Sequence, residues 1–252
     1  MRERKVVLVT GGAGRIGSAL AFDLINQGYK VLLGDIVKKK LIKIKKKINS
    51  SNLEIFCGDL TKKNTIEKFI NYGVKKFKKI DCAVHCSYPK SKKWGVPFEK
   101  VEERYLNQDL SKQLGGAIIF SQSIIKYFLR IKSGNLILIS SILGLQPPKF
   151  ENYKSLNINS PIEYTAIKSG IIAITKYISK YYQKKNIRIN CVSPGGIKAN
   201  QPRRFINRYR KYCNFKGLLD GSDVSKLIIF LISEKSKYIS GQNIVIDDGW
   251  SL

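Results

Sequence analysis

The apolar residues of this chain fall into short runs separated by longer amphipathic stretches. Runs at 5–10, 30–35, 52–57, 80–86, 135–140, 186–192 and 243–247 are short and rich in Val and Ile, and they predict strands. Between them, 16–27, 38–48, 65–77, 98–129, 161–183 and 223–233 predict helices. Strand–helix alternation at this spacing builds βαβ units. The expected fold is α/β: a single Rossmann-type doubly wound domain, a seven-stranded parallel sheet with helices on both faces. No repeat, linker or low-complexity segment divides residues 1–252, so one domain is expected.

Composition adds a core and a puzzle. A 43% hydrophobic content suffices for a sizeable interior, whereas 46 Lys+Arg against 18 Asp+Glu give a formal net charge of +28. The densest basic run, 38–47, reads as a solvated helix face, because Leu41, Ile44 and Ile48 form one apolar stripe among the lysines. It lacks the interleaved aromatics that single-stranded nucleic acid would want. Only non-specific, salt-sensitive nucleic-acid binding is expected of the charge. The stretch 1–10 is basic and then apolar, but its apolar part is too short for a signal peptide. No run reaches the length of a membrane span. Five cysteines without a CxxC pair and a single histidine, His85, offer no metal site. A cytoplasmic protein with reduced thiols is expected.

Two constellations carry chemistry. The first is TGGAGRIG at 10–17, between the first strand and the first helix, the context of a dinucleotide fingerprint. Gly11 and Gly12 suit a tight turn, Gly14 suits close approach to a pyrophosphate, and Gly17 suits close helix–strand packing. The N–H groups of Arg15, Ile16 and Gly17 then open the helix toward phosphates. Asp35 ends the second strand, where a carboxylate can accept from an adenosine ribose hydroxyl and would repel a 2′-phosphate, so NAD is favoured over NADP. Lys38 and Lys39 stand nearby and pull toward NADP. Asp59 and Leu60 follow the third strand, where they either flank the adenine or simply start a helix. The second constellation is Tyr164 and Lys168, at i and i+4 on a helix whose start, Ser160-Pro161-Ile162-Glu163, reads as a capping box. An ammonium beside a phenol should lower the phenol's pKa. With a hydroxyl from Ser140-Ser141, at the end of the fifth strand, the pair would form an acid–base relay beside a nicotinamide.

TGGAGRIG, Asp59-Leu60, SSILG at 140–144, YTAIK at 164–168, SPGG at 193–196 and GQNIVIDDG at 241–249 together resemble the short-chain dehydrogenases/reductases over essentially the whole chain. HCSYP at 85–89, PPKFENY at 147–153, GGIKANQP at 195–202 and the terminal DDGWSL are similar to members associated with flagellin glycosylation and surface-polysaccharide synthesis. The resemblance implies Ser141 as the substrate-holding serine, Tyr164 as acid/base and Lys168 as its partner and ribose ligand. It implies Pro194, Gly195 and Ile197 as a cover over the nicotinamide, and a homodimer or homotetramer. It aligns Gln113 with an Asn of the family's proton relay. The family's NNAG is replaced by His85-Cys86-Ser87-Tyr88, with His85 either structural or lining the nicotinamide pocket.

The segments 145–160 and 197–215 are expected to cover substrate, with Arg203 and Arg204 suited to an anionic sugar derivative. The implied reaction interconverts a secondary alcohol and a ketone on such a small molecule. Alternatives are an NADPH-dependent 3-oxoacyl or carbonyl reductase, a nucleotide-sugar epimerase or dehydratase, and a catalytically silent NAD-binding protein.

Overall fold

The computed structural model describes residues 4–252; the first three residues, which begin the stretch weighed against a signal peptide, lie outside it. Seven strands form one sheet among the described residues: β1 (Val6–Thr10), β2 (Lys30–Asp35), β3 (Leu53–Cys57), β4 (Cys82–His85), β5 (Gly134–Ile139), β6 (Ile187–Pro194) and β7 (Asn243–Ile246). All pairings are parallel, in the order β3-β2-β1-β4-β5-β6-β7. The helices are α1 (Arg15–Asn26), α2 (Lys38–Ile48), α3 (Lys63–Phe77), α4 (Glu103–Asp109), α5 (Gly116–Ile131), α6 (Ile162–Tyr181), α7 (Arg203–Arg210) and α8 (Gly221–Ile232). The doubly wound fold is therefore the one the hydrophobic pattern implies.

The alternation of side chains along β1 shows how both faces are filled. Val6 and Leu8 join the layer under α3, α5 and α6, which holds Phe69, Phe120 and Ile167. Val7 and Val9 point to the opposite layer, with Leu20, Leu24 and Leu41 of α1 and α2 and Ile228 of α8. A third, smaller cluster of Ile142, Phe205, Tyr209, Leu218 and Trp250 lies apart from both. Strand order reverses between β1 and β4, so the crevice at their C-terminal ends is the place for a ligand.

Four expectations change. The helix expected over 98–129 is three pieces: a 3₁₀ turn at Phe98–Lys100, then α4 and α5 joined by a π-helical turn at Leu110–Gly115. The helical run Glu103–Ile131 is also long and apolar enough to cross a membrane, by length and composition, against the expectation that no run reaches a span. Its Ala117, Phe120, Ile124 and Phe128 are instead buried against the sheet. The capping box at 160–163 does not form. Pro161 is the N-cap and makes no side-chain cap, Ser160 bonds Tyr153, and Glu163 is buried. Finally, α7 was hidden by its arginines, which leave only Phe205 and Tyr209, one turn apart, to mark a buried face.

Phe120 is fully buried and stacks on His85. Phe120→Ala should therefore cost about 3–5 kcal/mol in urea unfolding, the range for emptying an aromatic core site. A loss near zero would mean that the layer under α5 is not a packed core.

Candidate active site

The turn between β1 and α1 is fixed by what it touches. Gly11 has φ +63°, and a Cβ there would lie 2.5 Å from the Cys86 carbonyl oxygen. Only glycine satisfies both conditions. Gly17 is pressed equally hard, but against the carbonyl of Gly11 in its own turn, while Gly12 abuts the Leu33 side chain. Gly14 is exposed and is the N-cap of α1, with no side-chain cap and no acidic residue in the first turn. The first N–H groups of α1 thus face outward with the positive end of the helix dipole, an anion cradle. These features fit a dinucleotide pyrophosphate. At the β2 end, Asp35 accepts from the Ala13 and Val37 N–H groups, both at 2.9 Å, which fixes its carboxylate against the turn.

Two adjoining cavities run along the crevice. One, of about 290 Å³, is lined by Ala13, Asp35, Val37, Lys40, Asp59 and Leu60 among others. Asp59 also bonds the N–H and hydroxyl of Thr61, so it both lines this cavity and braces the turn before α3. The other, of about 470 Å³, contains Arg15, Ile16, Ser141, Tyr164, Lys168, Pro194, Gly195 and Ile197. A larger cleft at the opposite end of the strands, around Lys5, Asp81 and Arg188, contains none of the residues expected to bind cofactor or act in the chemistry.

The two serines have different partners. Both line the cavity, but the Ser140 hydroxyl donates to the Lys168 carbonyl at 2.7 Å and braces α6, whereas Ser141 hydrogen-bonds with the Tyr164 phenol. Lys168 donates from Nζ to the Ile139 carbonyl at 3.0 Å. Gln113 sits in the π-helical turn, buried, and neither atom of its amide has a protein partner among the described residues. A π turn shifts the phase of the helix by one residue and is frequent at functional sites.

A solved short chain dehydrogenase from Leptospira borgpetersenii with bound NAD+ superposes with a TM-score of 0.86, at 29% identity, covering 99% of this chain and 94% of that one. Residues 11–251 match the family described as enoyl-(acyl carrier protein) reductase. Over 256 residues the sequence is 37% identical to the post-translational flagellin modification protein A of Campylobacter coli, spanning 100% of both chains. The chain is a short-chain dehydrogenase/reductase. A 7α-hydroxysteroid dehydrogenase of Bacteroides fragilis is 27% identical over 99% of this chain and 95% of its own length.

In this short-chain dehydrogenase/reductase the electrostatics run against one expectation. Burial raises the Tyr164 pKa, only partly offset by the hydrogen bond with Ser141. Burial also lowers Lys168, to about 8. The helical spacing does bring the ammonium to 5.5 Å from the phenol ring, but desolvation dominates both groups and the expected lowering of the tyrosine does not appear.

Two further placements are corrections. His85 does not line either cavity: it is buried, bonds Thr10 Oγ1 through Nδ1 at 2.9 Å, and stacks on Phe120 at 4.8 Å. It thereby ties β4 to β1, the structural one of the two roles expected for it. Arg203 and Arg204 are exposed and line neither cavity. The wall beyond Tyr164 is instead aromatic, formed by Tyr153, Phe205, Tyr209 and Trp250. The sequence reading missed these residues because they act only once the covering segments fold together. Arg208 donates to the Glu151 and Lys154 carbonyls, joining α7 to the 145–160 segment. Asp247 accepts from the Gly249 and Ser251 N–H groups, coiling the chain end so that Trp250 stacks on Tyr209.

Burial, with Lys168 nearby, holds His85 at about 3, against 6.5 for a solvated imidazole. Between those values the unfolded chain binds the proton and the folded one does not, so this group lowers stability as pH falls from about 6.5 to about 3. NMR titration of the only histidine should show a neutral ring down to about pH 4. A midpoint near 6.5 would contradict the buried, Thr10-bonded placement.

Proposed function

We propose that this chain is a one-domain, cytoplasmic, NAD(H)-dependent oxidoreductase, homodimeric or homotetrameric, that interconverts a secondary alcohol and a ketone on a sugar or sugar derivative. The observation that carries the reading is the gathering of Ser141, Tyr164 and Lys168 in one cavity that adjoins another, with Asp35 bordering both. When bound, the nicotinamide accepts or gives the hydride. The first turn of α1 would hold the pyrophosphate, Asp35 the adenosine ribose, Asp59 and Leu60 the adenine side, and Pro194, Gly195 and Ile197 would cover the nicotinamide.

Ser141 would hold the substrate oxygen while the Tyr164 phenol exchanges a proton with it. Lys168, charged below about 8, would bind the nicotinamide ribose. Gln113, buried with its amide unpartnered by protein and held in the turn that packs Leu114 against Gly170 of α6, would extend the proton path through water. The raised pKa of Tyr164 keeps the phenol in its acid form at neutral pH, ready to protonate a reduced carbonyl. Oxidation of the alcohol needs the phenolate, and so gains from higher pH.

The sugar reading draws on the flagellin-modification relative and on the cavity wall. Tyr153, Phe205, Tyr209 and Trp250 present ring faces and edges suited to the C–H groups of a saturated ring, with no charged side chain among them. Arg203 and Arg204 would then meet only a group projecting from the cavity. The same wall would also suit other ring alcohols, and the hydroxysteroid dehydrogenase relative keeps that second reading in play.

Tyr164→Phe should lower turnover by about 10²–10⁴-fold while NAD+ binding, followed by calorimetry, is retained; undiminished turnover would remove Tyr164 from the chemistry. In the wild-type protein kcat/KM for alcohol oxidation should climb from about pH 7 to 9, and ketone reduction should stay flat over about pH 6–7.5. Asp35→Ala should narrow the preference for NAD+ over NADP+. Equal preference in wild type and variant would show that Asp35 does not discriminate between the two cofactors.

A further inference from the structure

Four residues border both cavities: Gly11, Gly14, Asp35 and Tyr88. The two glycines and the carboxylate belong to the turn and floor of the cradle. Tyr88 alone brings a ring to the junction, and no role given above uses it. It lies in the stretch 86–97, which runs from β4 to the 3₁₀ turn at Phe98–Lys100 without helix or strand.

The surroundings of that ring are the groups assigned to the nicotinamide half. Its centroid is 5.6 Å from that of Tyr164, edge-on at 71°. Lys168 Nζ lies 5.4 Å from the same centroid. On its other sides are Lys90 Nζ at 4.7 Å and Trp94, perpendicular at 5.4 Å and hydrogen-bonded to the Tyr88 hydroxyl. Tyr88 as a whole residue is 39% exposed, while burial desolvates its hydroxyl, which bonds Trp94 of the same loop. A ring held by edges and by two cations, on a segment without regular structure, can be exchanged for another planar group without breaking the scaffold.

A dinucleotide must pass from the cavity of Asp59 and Leu60 to the cavity of Tyr164 and Lys168. We infer that Tyr88 is a specificity-determining residue of this site: the adenosine diphosphate half enters beside it, whereas the nicotinamide riboside half reaches Lys168 and Tyr164 only as the Tyr88 ring swings aside. The inference rests on the cofactor reading above. Its consequence is selective. The affinity for the whole dinucleotide is its open-site value multiplied by the fraction of molecules with the ring aside, whereas ADP is insensitive to the ring's position.

Calorimetric titration of NAD+ and of ADP into wild type, Tyr88→Ala and Tyr88→Phe tests this. Tyr88→Ala should bind NAD+ about tenfold more tightly or better, the gain expected if the open arrangement is a minor state, with ADP affinity unchanged within about twofold. Tyr88→Phe keeps the ring and should match wild type for both ligands. ADP binding also reports that each variant is folded, and Tyr88→Ser repeats the test should alanine fail to fold. Unchanged or weaker NAD+ binding by Tyr88→Ala, with ADP unaffected, would overturn the inference alone, as would an equal gain for both ligands. If wild type bound neither ligand, the dinucleotide reading itself would fall and this inference with it.

Discussion

The molecule depends on how closely the end of β1 can be held to the end of β4. These two strands flank the point where the chain winds in opposite directions, and the crevice exists because nothing fills it from above. Gly11 lies so near the Cys86 carbonyl that no Cβ fits between them. One residue back on each strand, Thr10 and His85 exchange a hydrogen bond in a fully buried setting. An imidazole there must stay neutral, since a charged ring would have neither water nor a carboxylate to compensate it. A neutral histidine stacked on Phe120 is therefore part of the frame on which the cofactor turn is built.

What was legible in the sequence was whatever depends on near neighbours. The strand runs, the glycine turn and the i, i+4 placement of Tyr164 and Lys168 are set within a few residues, and each is found where the pattern indicated. Asp35 was legible for the same reason, being the last residue of its strand. The roles of Ser140 and Ser141 could be separated only by resemblance, because their difference lies in which way each hydroxyl faces. The misreadings have a common physical origin. Ser160 and Glu163 have the spacing of a capping box, but Tyr153, earlier in the same covering segment, takes the serine. The Tyr164 pKa was argued from one neighbouring charge, whereas the walls around it desolvate both partners. Arg203 and Arg204 were judged by residue type, yet Phe205 and Tyr209 decide which side of α7 is buried.

The net charge of +28 looks different in this light. Around Tyr164 the walls are aromatic and aliphatic, and Lys168 is the cation buried with it. The densest group of lysines stands on α2, where Leu41 alone is fully buried. The cationic surface and the reactive interior are separate properties of the chain, joined mainly at the mouth of the crevice by Arg15 and Lys40.

The small cluster of Ile142, Phe205, Tyr209, Leu218 and Trp250 shares no member with the two layers that hold the sheet. Its separateness gives the molecule two scales of stability. Local opening of α7 and the coiled chain end would expose a few aromatic side chains and leave the sheet, the glycine turn and the His85 tie intact. Such an opening draws on a small part of the global folding free energy, in the manner of a low-stability cooperative unit. Admission and release of a substrate can thus be tuned by mutation in the covering segments without weakening the cradle beneath.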